Sequence, residues 1–306
     1  MSQRFNTSVV PQLGLVCITA SDKVRYRALT RKRLLQLTAP EQEQALRGIY
    51  TENLRRLNIA LDFCDANNIR LYRLTSALFP FADQPVGQGI LTEFTNALQA
   101  TGDRATALSI RLVLHPDQFV VLSSDKPEVI ENSIKILQIH AWILDLLAQP
   151  RSPWALMNIH GGKGDRSERL INVIRSLPES IRSRLALEND EYAYGAAEIL
   201  AVCQAAEMPM VFDAHHHVIH EHLDTYEDPS VAEMLAASRT TWSVPEWQLV
   251  HISNGSEFFA DPRHSDLITL MPSSFRHVPW IEVEAKLKEQ AIAKLRQEWL
   301  PASFRQ

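Results

Sequence analysis

Short apolar, β-branched runs recur along this chain with amphipathic helical stretches between them, and that alternation restricts the fold more than any single motif does. The runs are Leu13 to Ile18, Arg70 to Leu74, Ile110 to Leu114, Trp154 to Ile159, Arg184 to Leu187, Met210 to Phe212, Gln248 to Ile252 and Trp280 to Val283, eight in all. Segments between them, such as Gln44 to Ala66, Glu128 to Leu147 and Ser167 to Leu177, carry apolar residues at three- and four-residue spacing, as helices covering a sheet should. Eight βα units predict an α/β protein built as a single (β/α)8 TIM barrel, with a doubly wound open sheet as the alternative. Such a barrel uses roughly 200 to 400 residues as one domain. The expected domain is therefore the whole chain, 1–306, interrupted only by a long loop after the first strand and an irregular stretch from Ser253 to Pro279.

Composition removes several classes. Hydrophobic residues at 45% and charged residues at 22% exclude a disordered, collagenous or coiled-coil chain. No apolar run reaches about 18 residues, and Met1 to Val10 lacks a basic segment followed by an apolar one. The expectation is a cytoplasmic protein with no membrane partner. Cys17, Cys64 and Cys203 lie far apart and form no Cys-x-x-Cys pair, which argues against a disulfide framework or a thiolate zinc site. No Gly-x-Gly-x-x-Gly or Walker sequence follows any strand, so no nucleotide cofactor is expected.

The chemistry gathers at the ends of the strands. The third run ends in His115, the fourth in His160, the fifth in Glu188, the sixth in Asp213 followed by His215, His216 and His217, the seventh in His251 and the eighth in Glu284. In a barrel these positions converge on one mouth. Imidazoles and carboxylates crowded together would be poorly solvated unless cations bound between them, and this mixture of ligands suits zinc, manganese or iron better than calcium or magnesium. A polynuclear metal site is expected. Of the five histidines at 215, 216, 217, 220 and 222, two or three of the later ones read as solvated loop residues, and His264 is undecided from spacing alone.

A net charge of −5 argues against a uniformly basic nucleic-acid surface. Between Ser21 and Arg33, however, Lys23, Arg25, Arg27, Arg31, Lys32 and Arg33 face one acid, Asp22, a local excess of +5 on the loop after the first strand. Runs of this kind are usually solvated faces, and they contact phosphate only where a neighbouring site handles it. Three divalent ions would bring the net charge from −5 to about +1, with the positive charge at the mouth.

At Leu71-Tyr-Arg-Leu-Thr-Ser76, His115-Pro-Asp-Gln-Phe119, Asn158-Ile-His-Gly-Gly162, Leu187-Glu-Asn-Asp190, Phe212-Asp-Ala-His-His216, Val250-His-Ile-Ser253, Arg263-His264 and Glu284-Ala-Lys286, the chain resembles the UV damage endonucleases. These are relatives of endonuclease IV within the xylose-isomerase-like barrels. The resemblance implies a metal-dependent DNA repair endonuclease that cuts the phosphodiester 5′ to UV photoproducts, cyclobutane dimers and 6-4 products, and leaves a 3′-hydroxyl. It implies two or three divalent ions, commonly Mn2+, and damaged double-stranded DNA as partner. Carried over by residue, Glu188, Asp213, His251 and Glu284 hold one metal, His115 and His160 a second with Glu188 bridging, and His216 with His264 a third. Glu188, His216 and Glu284 are the expected catalytic groups, Gln118 and Phe119 the pair that probes the duplex, and Arg31, Lys32 and Arg33 the backbone contacts.

The chain departs from the family pattern at Gln84, where a histidine is expected, at Leu249 for a modifiable lysine, at Leu15 and Thr19 for a tyrosine and an asparagine, and at Phe119 for a tyrosine. Gln84 and Leu249 bear on the third metal, Leu15 and Thr19 on the range of lesions. Phe119 retains an apolar wedge. Two other functions fit the same residues: a sugar isomerase or epimerase on the same barrel, and a damage-binding homologue with reduced turnover.

Overall fold

The computed structural model describes residues 10–116 and 119–300. Eight strands, β1 (Gln12–Val16), β2 (Leu71–Leu74), β3 (Arg111–Leu114), β4 (Met157–His160), β5 (Leu185–Glu188), β6 (Met210–Asp213), β7 (Leu249–Ile252) and β8 (Trp280–Val283), pair in chain order. Each runs parallel to its neighbours, and β8 returns to β1 to close the barrel. The (β/α)8 architecture expected from the alternation is the one observed, and the open sheet is excluded.

Helices pack outside the strands. The longest, α2 (Ala39–Ala66), follows the short α1 (Arg31–Leu34) and starts with a capping box in which Thr38 and Glu41 satisfy each other's backbone donors. It buries Leu46, Ile49, Leu54, Leu57 and Leu61 on one face. Then come α3 (Pro85–Glu93), α4 (Thr95–Ala107), α5 (Pro127–Leu146), α6 (Ser167–Ser176), α7 (Glu179–Arg182), α8 (Ala196–Ala206), α9 (Ala214–His220), α10 (Pro229–Arg239) and α11 (Lys288–Glu298). Between β7 and β8 the described chain has only a 3-10 turn at Ser273–His277, so the irregular stretch read from the sequence is the one connection without an α-helix.

Alternation along each strand positions the site. Leu13, Leu15, Tyr72, Leu74, Leu112, Leu114, Met157, Ile159, Leu185, Leu187, Met210, Phe212, Val250, Ile252, Ile281 and Val283 belong to the main core between sheet and helices. The other set, including Leu71, Val113, Leu156, Ala186, Val211 and Leu249, forms a separate apolar layer inside the barrel. By the period of two, the next interior positions are Arg73, His115, Asn158, Glu188, Asp213, His251 and Glu282. Polar and ionisable residues therefore enter the barrel from above an apolar floor.

Two strand ends differ from the sequence reading by more than one residue. The fourth strand begins at Met157, because Pro153–Ala155 forms a 3-10 turn whose carbonyls are taken by the guanidinium of Arg111. The first ends at Val16, because Cys17 turns into the left-handed region at φ 63°.

Candidate metal centre

Three overlapping groups of side chains at the C-terminal mouth have ligand atoms close enough to share a cation: His115, His160 and Glu188; Glu188, Asp213 and His216; and Asp213, His251 and Glu284, each within 4.8 Å. Glu188 and Asp213 each belong to two groups. Glu188 lies at the centre, with Oε1 at 3.0 Å from His251 Nδ1 and 3.3 Å from His216 Nδ1, and Oε2 at 3.6 Å from His115 Nε2 and 4.0 Å from His160 Nε2. Asn158 also donates to Glu188 Oε2.

The surrounding chain orients these groups. Asp213 caps α9, its Oδ1 accepting from His215 N at 2.7 Å and His216 N at 2.8 Å, while Oδ2 is buried with no hydrogen-bond partner. The Asn189 side chain brackets Asp213, donating to its carbonyl and accepting from its N–H. The carbonyl of Asn189 lies 2.9 Å from His216 Nδ1, which turns Nε2 toward Glu191 and Asp213.

The electrostatics set buried carboxylates against imidazoles. Burial opposes charge on His216, yet Asp213, Glu188 and Glu191 hold its pKa up at about 9. Burial likewise opposes charge on His251, but Glu188 and Glu282 raise it well above the ordinary imidazole value. Against the cost of burial, His251 and His160 hold Glu188 well below the usual carboxylate range, and Arg73 with His251 does the same for Glu284. Burial lowers His160. Without metal, protons on imidazoles compensate the carboxylates, so a divalent ion entering this cluster displaces protons. The unpartnered Asp213 Oδ2 and the mixed imidazole and carboxylate donors fit such an ion.

Seven of the eight expected metal ligands fall within the three groups. His264 does not; it pairs in an isolated bridge with Gly255, and its Nε2 lies 3.8 Å from Glu284 Oε2, so it stands beside Glu284 rather than in a group with His216. Among the nearby histidines, His215 is bonded between Tyr226 and the Asp261 carbonyl, and His217, one of the later histidines, contacts Ser230 on a buried helix instead of lying in solvated loop. His222 is exposed.

Arg31, Lys32 and Arg33 are exposed as expected, but on a short helix, α1, rather than in loop. Phe119 is 71% exposed on the connection after β3, while Gln118 lies outside the described residues. Gln84 is an exposed helix cap bonded to Asp83, and Leu249 is sealed in the apolar layer inside the barrel. Leu15 packs in the main core, and Thr19 accepts from Val24 N; both are fully buried. The sequence reading passed over Asn158, Asn189, Glu191, Arg73 and Glu282. Glu191, adjacent to the Glu-Asn-Asp motif, places Oε1 3.4 Å from His216 Nε2.

The family model described as UV-endonuclease UvdE matches residues 11–304. A UV DNA damage endonuclease of Nostoc sp. is 61% identical over 292 residues, covering 95% of this chain and 91% of that protein. One from Deinococcus radiodurans is 50% identical over 290 residues, covering 94% and 95%. The crystal structure of SacUVDE superimposes with a TM-score of 0.78 at 25% identity, over 94% of this chain and 98% of that one.

Proposed function

The chain belongs to the UV-endonuclease UvdE family, and we propose from that membership that it is a metal-dependent repair endonuclease that hydrolyses DNA immediately 5′ to UV photoproducts and leaves a 3′-hydroxyl. The observation that carries the reading is the convergence of three ligand groups on Glu188 and Asp213 at the barrel mouth. Bound there, two or three divalent ions, Mn2+ first among them, would supply a hydroxide nucleophile and neutralise charge on the phosphate.

This chain's residues do the rest. His115, His160 and Glu188 would hold one ion, Asp213, His251 and Glu284 another, and His216 with Glu188 and Asp213 the third position, with His264 reaching Glu284 from outside. Arg31, Lys32 and Arg33 on α1 would take DNA phosphates on the same face, since their helix follows β1. Phe119, exposed on the connection after β3, would enter the duplex with Gln118. A photoproduct is already poorly stacked, so insertion there costs less than at normal DNA.

Purified protein with Mn2+ is incubated with UV-irradiated supercoiled plasmid and with an unirradiated control. The reading predicts nicks in the irradiated plasmid alone, abolished by chelator and extendable by a DNA polymerase. Binding without nicks would favour the damage-binding reading, and no interaction with either plasmid would favour the isomerase.

A further inference from the structure

We infer that Glu282 is a positioning residue of the metal centre, fixing the tautomer of His251 so that Nδ1 is offered to the metals. It rests on the metal-binding part of the function proposed above. His251 and Glu282 are register partners on β7 and β8, and Glu282 Oε2 lies 2.5 Å from His251 Nε2. The opposite ring nitrogen, Nδ1, faces Glu188 Oε1 at 3.0 Å and Glu284 Oε1 at 3.5 Å. A neutral imidazole whose Nε2–H donates a hydrogen bond to a carboxylate has only Nδ1 left as a lone-pair donor, and such outer partners orient metal-bound histidines generally.

Arg73 holds Glu282 from β2, which is separated from β8 only by β1. Its Nε lies 3.0 Å and its Nη2 2.6 Å from the same Oε2, and Nη2 also contacts Glu284. A pair kept only for stability would be costly here. Both side chains are nearly inaccessible, at 9% and 2%, and Glu282 Oε1 has no partner. Buried ion pairs seldom outdo apolar residues of the same volume. What the pair does accomplish is to grip the far side of a metal ligand and, through Arg73, steady a second one, Glu284.

The test uses the full chain loaded with Zn2+ or Mn2+. Long-range 1H–15N correlation on the Zn2+-loaded protein reads the tautomer of His251 directly, and the expected state is Nε2 protonated with Nδ1 bound to metal. Calorimetric titration of the folded protein with Mn2+ should show Glu282→Gln weakening the affinity by roughly 10- to 100-fold. His251 bound through Nε2, or wild-type Mn2+ affinity in Glu282→Gln, overturns the inference. If that variant fails to fold, the wild-type spectrum decides alone. Failure of the wild-type protein to take up any ion would sink the metal-dependent function itself, a different result from normal uptake with the wrong tautomer.

Discussion

Both ends of the barrel bury charge, but one end matches it with fixed hydrogen bonds and the other with imidazole protons that a cation can replace. At the N-terminal end Arg111 is fully buried, donates to the carbonyls of Trp154, Trp247 and Pro153 at 2.7 to 2.9 Å, and lies against the faces of Trp154, Trp242 and Trp280. Burial draws its pKa down to about 9, still charged at neutral pH. At the C-terminal end, Glu188, Asp213 and Glu284 crowd together with four imidazoles, and Asp213 Oδ2, Asn158 Oδ1 and His160 Nδ1 are buried without partners. The fixed hydrogen bonds of Arg111 belong to stability, and the unpartnered atoms among the carboxylates and imidazoles are open to a ligand. The exposed apolar side chains follow the same division: Leu35, Phe119, Tyr192, Phe258 and Leu270 all lie on connections leaving the C-terminal ends of strands.

The sharpest way to break this division is at its stable end. Arg111→Ala leaves three carbonyls unpartnered and opens a cavity among tryptophans, and it should cost about 3–5 kcal/mol of folding stability in urea titrations. Mn2+ affinity of the folded fraction should be unchanged; a large loss of affinity would show that the two ends are coupled and the division false.

A smaller effect is expected at the rim. Neutralising Arg31, Lys32 and Arg33 should reduce the slope of log affinity against log salt by up to about 3 on damaged and intact DNA alike. An unchanged slope would make the run a solvated face.

Smallest is Phe119→Ala. The lost stacking should narrow the preference for irradiated over intact DNA by about tenfold. Because the ring is 71% exposed, the melting temperature should stay put. A lowered melting temperature with full selectivity would return Phe119 to a packing role.

Much of this was legible in the sequence, and the failures have physical causes. Each strand ending in a histidine or carboxylate could be read because an ionisable residue closing an apolar run is conspicuous. Glu282 was not, although it stands two residues before Glu284 on the same side of the strand. In a barrel both faces of a strand are buried, so apolar residues on either side of Glu282 erase the alternation that would have marked it as interior. Arg73 was hidden in the same way between Tyr72 and Leu74. His215 and His217 were ambiguous because a one-dimensional cluster of histidines does not reveal that a capped helix sends His216 to the mouth and its neighbours to Tyr226 and Ser230. The placement of His264 next to Glu284 depends on the fold of the long β7 to β8 connection, which carries no period to read.

The account turns on Glu188, the carboxylate shared between ligand groups, and the direct measurement is metal content per chain after reconstitution with Mn2+, alongside nicking of irradiated plasmid, for the wild type and Glu188→Gln. The substitution removes one negative charge with little change of shape. The account predicts two or three ions in the wild type, fewer in the variant, and nicking reduced at least about 100-fold, the scale of losing one electrostatic stabiliser from an active site. Full metal content together with full nicking in Glu188→Gln would contradict it.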